Sequence, residues 1–139
     1  MTKRTWADIA SRAPVNTTGL ISSQDFNDLL DSVVPRIATA NISGAASFNF
    51  NDGNVAILTL TGNVTSFSIS NGVEGLTLRL CLKQDATGSR TFTGATGISW
   101  EGSAPPTLTT TPSRMDVFDL QFDGTNWLQV ATASMNVGG

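Results

Sequence analysis

The stretch that decides the fold is VAILTLTGNVTSFSISNGVEGLTLRLCLK, residues 55–83. Near its end Leu76, Leu78, Leu80 and Leu82 occupy every second position, with Thr77, Arg79, Cys81 and Lys83 between them. Successive side chains of a strand point to opposite faces, so this is a strand with one core face and one wetter face. Residues 55–62 read as a second strand. In residues 63–70 the apolar positions are Val64, then Phe67 and Ile69, so the phase slips by one residue. A slip of that kind predicts a bulge or a corner. NGVEG, residues 71–75, carries turn residues. Cys81 on the wetter face reads as a small filler rather than a reactive thiol.

Downstream, LKQDATGSRTFTG (82–94) looks at first like a phosphate loop. No G-K-[ST] follows its first glycine and no helical pattern follows it, so it reads as a reversal between two strands. Asp85 suits an Asx-type turn and an ion pair with Lys83 or Arg90, and Gly88 suits a positive φ. Residues 95–113 are rich in Gly, Pro and Thr. Pro105 and Pro106 keep them from forming a central strand, which leaves a shaped surface loop. Residues 115–133 form the strongest hairpin: Phe118, Leu120 and Phe122 alternate, DGTN turns, and WLQVA returns. The tail SMNVGG has no structural signal.

Upstream, residues 38–54 shift to small residues and then to Phe48 and Phe50. They read as a linker and a first strand, with NDGN as its turn. SSQDFNDLLDSVV (22–34) places Phe26, Leu29, Leu30, Val33 and Val34 at i, i+3, i+4, i+7 and i+8, an amphipathic helix stopped by Pro35. Residues 1–21 read as an arm with a short stripe of Trp6, Ile9 and Ala10. The expected domains are 1–44, an arm and docking helix, and 45–139, a β-domain. Strands of this number and spacing predict a mainly β fold, an antiparallel jelly-roll-like sandwich preceded by the arm and one short helix.

Composition narrows the function. Charged residues are only 14% of 139, so the polar surface comes from Thr, Ser, Asn and Gly, and sheet edges are sticky. Net charge is −3, which argues against nucleic acid as a partner. No apolar run approaches the roughly 20 residues of a membrane span, and no signal peptide opens the chain. There is no histidine and one cysteine, which removes the commonest general base, the usual nucleophile pairs and zinc sites of the usual kind. A carboxylate pair from Glu74 and Glu101 would be the remaining catalytic option, but each glutamate sits beside a glycine in a turn. The expectation is a protein without enzymatic activity, metal or cofactor, assembled in a reducing cytoplasm.

Several segments together resemble a module recurrent in tailed-bacteriophage virion proteins. They are Thr61 to Thr65, Lys83 to Thr91, Trp100 to Thr110, and Phe122 to Trp127, in the order T-G-N-V-T, K-Q-D-x-T-G-S-R-T, a Trp–Pro–Thr loop and F-D-G-T-N-W. The resemblance covers roughly residues 55–131. It departs at Glu101, at the Pro-Pro pair and at Cys81. It implies a virion structural protein, commonly a homotrimer. The length favours a capsid decoration (cement) protein or short head fibre, docked on the major capsid protein or another virion protein by Trp6, Ile9, Phe26, Leu29, Leu30 and Val33. The alternative is a tail-fibre or tail-tip adhesin that meets a host surface glycan through the 95–113 loop, with Trp100 and Glu101 as contact residues; against it, Trp100 reads better as a core or interface anchor.

Overall fold

The computed structural model describes residues 36–138. The arm, the 22–34 helix, and with them Trp6, Ile9, Phe26, Leu29, Leu30 and Val33 lie outside the described residues. Seven strands are present among the described residues: β1 (Ile37–Asn49), β2 (Val55–Ser70), β3 (Thr77–Gln84), β4 (Ile98–Ser99), β5 (Met115–Phe122), β6 (Trp127–Gln129) and β7 (Ser134–Val137). They make one mixed sheet in the order β1-β2-β3-β5-β6-β4, with β7 also on β5.

Strand direction corrects the expected antiparallel sandwich. β1 pairs with β2 in parallel, and β2 pairs with β3 in parallel. Antiparallel pairing is confined to β5 with β3, β6 and β7. The turn at NDGN is therefore no hairpin. A straight 13-residue strand would run about 43 Å. The five residues between β1 and β2 reach at most about 18 Å. Yet Asn54 N and Val55 N both donate to Arg36 O at 3.1 Å. β1 must therefore fold over, so that its end returns close to its start.

The fold-over lies at Ser43 and Gly44. Pairing runs Ile42↔Leu60, then Gly44↔Val64, then Ala45↔Ser66. Extra β2 residues face this corner, and Gly44 takes φ +61°. This is the corner that the phase slip at Val64 predicts, set inside one continuous strand. Arg79 N donates to Asn54 O at 2.9 Å, so β3 begins beside the start of β2. The following segment passes the second half of β2 instead of returning along β3: Val64 N donates to Thr91 O (2.8 Å) and Thr93 N to Val64 O (3.0 Å). The expected 89–94 return strand is thus reduced to a parallel bridge at Val64↔Phe92. The chain winds three times around one core.

The inner rows follow from register. Ala56, Leu80 and Phe118 are neighbours across the sheet, as are Leu58, Leu82 and Asp116, and all are buried. Leu78 opposes Leu120 in the same way. Phe48, Phe67, Phe92, Trp100 and Trp127 complete the cluster. Each large apolar side chain buried this way contributes roughly 1.5–3 kcal/mol. Leu76, expected beside Leu78, precedes β3 and is exposed. Cys81 is buried on the other face, and burial pushes its thiol pKa up.

Two further departures have local causes. β1 starts at Ile37, so residues expected as a linker up to Gly44 form its first half. Their small side chains reflect an edge strand that packs lightly. The 134–137 tail is strand β7, although its sequence shows no alternation. Asn136 has φ +58°, and Asp116 Oδ1 accepts its N–H at 2.8 Å. A tertiary acceptor, not local pattern, holds it.

Candidate functional site

The site is built where the inner face turns polar. Gln84 follows Leu78, Leu80 and Leu82 in phase, and Asp116 precedes Phe118 and Leu120 in phase. Both are buried. Gln84 Oε1 accepts Arg90 N at 2.8 Å, and its Nε2 donates to Arg90 O at 2.9 Å. This pair of bonds substitutes for a strand partner and fixes residue 90. Asp116 Oδ2 accepts Thr109 N at 2.7 Å.

The 85–90 segment holds the Asx turn read from sequence, but it makes a corner of the winding and not a reversal between paired strands. Asp85 Oδ1 accepts from Thr87 N (3.0 Å) and Gly88 N (2.9 Å), an Asx-type turn. Arg90 Nε and Nη2 donate to Asp85 Oδ2 at 3.1 and 2.8 Å. The Arg90 hydrogen bond, helped by the two backbone N–H groups, holds the Asp85 carboxyl below its ordinary value. Gly88 has φ +73°, and a Cβ there would meet Thr110 O at 2.6 Å. Ser89 N donates to Thr110 O (2.8 Å) and Ser113 N to Asp85 O (3.0 Å), so the 85–90 corner and the 105–113 loop are laced together.

Between them lies an open groove of about 320 Å³, lined by Arg90 to Thr93 on one side and by Pro105 to Leu108 and Thr110 on the other. Glu101 is exposed, and its N–H donates to Gln129 Oε1 at 3.1 Å. Trp100 is only 8% exposed. Its ring meets Phe92 and Phe118 edge-on, at centroid distances of 6.1 and 5.4 Å. In this position it props the loop from beneath rather than offering a ring face outside. The two residues singled out in the loop therefore do not converge on one surface. Gln84 and Asp116 were missed, and the signal was available: each is a polar residue in the apolar phase of a strand.

Among the described residues no cluster of three or more His, Cys, Asp or Glu is placed to hold a metal ion. No helix among them is long and apolar enough to cross a membrane. The groove offers threonine hydroxyls, half-buried proline surface above the buried Phe92, and one paired guanidinium.

No curated protein and no solved structure matches the chain. A family described as "Putative phage tail fibre C-terminal domain" matches residues 38–127. The match takes in the three windings, the 85–113 segment and the start of β6, and it overlaps the segments whose motifs resemble phage virion proteins. The chain is a member of this phage tail fibre C-terminal domain family.

Proposed function

We propose that this chain is a non-enzymatic component of a phage tail fibre, and that its 85–113 region meets the host surface. The family match carries this reading. It supports the tail-fibre alternative over the capsid decoration or cement role expected from the sequence. The structure adds a reason for the placement. Loops held on a rigid sheet are the usual carriers of recognition, and here two segments are fixed to each other and to the sheet by named hydrogen bonds.

Assembly with copies of itself is part of the same proposal. β1 lies at one end of the strand order, and none of its 13 residues is Pro, Lys, Arg, Asp or Glu. Natural edges that stay free usually carry such residues. Light scattering on the purified chain measures the assembly, and a homotrimer is expected.

The deciding experiment is antibody-gold labelling of intact particles. Label at the distal tail is expected, together with competition by purified protein against phage adsorption. Label confined to the head shell would return the protein to a decoration role.

A further inference from the structure

Gln84 and Asp116 are the two buried polar side chains among the described residues, and both hold walls of the same groove. Gln84 clamps residue 90 on one wall. Asp116 clamps residue 109 beside the other. Buried polar groups are costly unless fully bonded, so a fold that can fill its inner face with leucine has used them here to set a shape. We propose that this groove is a binding site for a neutral saccharide, a proposal that rests on the tail-fibre reading above and names its ligand.

The lining argues for the ligand class. Phe92 and Leu108 are buried and apolar, and Pro105 and Pro106 add half-buried CH surface. Thr91, Thr93, Thr107 and Thr110 are exposed along the same groove; Thr93 Oγ1 donates to Val64 O at 3.4 Å, and the other three bring hydroxyls. Apolar surface with a few placed polar groups is the usual make-up of a small-ligand site, and the volume is at the lower end of the roughly 300–1,000 Å³ range. A pyranose matches this pattern, with CH groups on its faces and hydroxyls around its edge.

Charge narrows the class. Arg90 is the one charged residue lining the groove, and Asp85 Oδ2 takes its Nε and Nη2. The pair is locally neutral, so no net field favours an acidic sugar. A peptide added as a strand is disfavoured as well. Thr91 N already donates to Asn63 Oδ1, Thr93 N to Val64 O and Thr109 N to Asp116. The walls therefore present side-chain hydroxyls in place of these backbone donors. Their rigidity lowers the ordering cost of binding.

The test is amide chemical-shift titration of the full-length chain. The probes are methyl glucoside, methyl galactoside, methyl mannoside and N-acetylglucosamine, with glucuronate as the charged counterpart. Saturable shifts at Thr91, Thr93, Thr107 and Leu108 are expected with at least one neutral sugar. Thr107→Arg, at an exposed position, abolishes them while the remaining spectrum is unchanged, and Pro106→Ala weakens them several-fold. Shifts with glucuronate alone, with no sugar, or surviving in Thr107→Arg overturn the proposal. Adsorption to host cells is measured on the same samples. Adsorption without any sugar response removes the groove site and keeps the tail-fibre reading. Sugar response without adsorption removes the host-contact reading and keeps the site.

Discussion

In the windings at 55–60 and 77–84, the inner positions Ala56, Leu58, Leu60, Leu78, Leu80 and Leu82 are apolar and buried. In residues 85–114 the buried large side chains are only Phe92, Trp100 and Leu108, and the backbone is held by Gln84, Asp85 and Asp116. The first region forms a ladder, so its N–H and C=O groups pair with neighbouring strands and side chains are free to be hydrophobic. The second has almost no ladder. Part of its backbone donors find carbonyls across the loop, and the rest, at Thr87, Gly88, Arg90, Thr91 and Thr109, take side-chain acceptors, because an unpaired buried N–H costs about as much as a lost hydrogen bond. The two regions thus use different means to become rigid, and substitution can separate them.

The largest effect is expected in the windings. Leu80→Ala removes a fully buried side chain between Ala56 and Phe118, and should destabilise the protein by about 2–5 kcal/mol. In chemical denaturation both regions should lose structure in one transition at lower denaturant. Survival of the windings after the loop has melted would show that the core is not shared.

A smaller and more local effect is expected from Asp116→Ala. It leaves Thr109 N and Asn136 N without their acceptor, a cost of about 1–3 kcal/mol. Hydrogen exchange should quicken at residues 105–110 and 134–137, while amides of 78–82 keep their protection. Equal loosening everywhere would mean that Asp116 supports the sheet as a whole, against the comparison drawn above.

The smallest effect belongs to the outer face. Arg79 Nε and Nη2 donate to Asp119 at 2.8 and 3.1 Å, with the arginine side chain 57% exposed. Solvent screens such a pair, so Arg79→Ala should change stability least of the three substitutions. The Arg79 hydrogen bond holds the Asp119 carboxyl below its ordinary value of 3.8. A lowered folded-state value means that the stabilisation is complete above the ordinary value and is lost as pH falls through the lowered one. Denaturation near neutral pH and at about pH 3 should therefore show a smaller acid loss in Arg79→Ala than in the unaltered chain. An identical loss would assign the acid sensitivity to other carboxylates, Asp85 and Asp123 among them, whose values are also lowered.

Much of the candidate site was legible, though not the residues that fix it. Asp85, Gly88 and the proline pair declare a turn and a loop through their own local chemistry. The 115–133 hairpin was legible for the same reason, with Asp123 Oδ1 accepting Thr125 N and Asn126 N across its turn. Trp100 was ambiguous from sequence because an aromatic in a loop is equally suited to a core prop or an outer contact, and only its neighbours Phe92 and Phe118 decide between them. Gln84 and Asp116 stand in the apolar phase of their strands, but that phase does not name their partners, and a polar residue at a strand end is ordinarily solvated. Their partners lie six and seven residues away in sequence, across turns whose course no periodicity describes.

The sequence by itself determined that the described residues are mainly strands, most of the apolar residues that face the core, the corner near Val64, and the turns at Asp85 and Asp123. These follow from alternation and from the backbone preferences of glycine, proline and asparagine. The tertiary structure decided that β1, β2 and β3 run parallel, that β1 folds back on itself, and that the 85–113 segment passes beside β2 and sends Phe92, Trp100 and Leu108 into the core. Alternation assigns a side chain to a face but says nothing of which strand lies beside it. Backbone hydrogen bonds form in either direction, so the choice falls to the closure of the winding at Arg36, Asn54 and Arg79, where distant parts of the chain first meet.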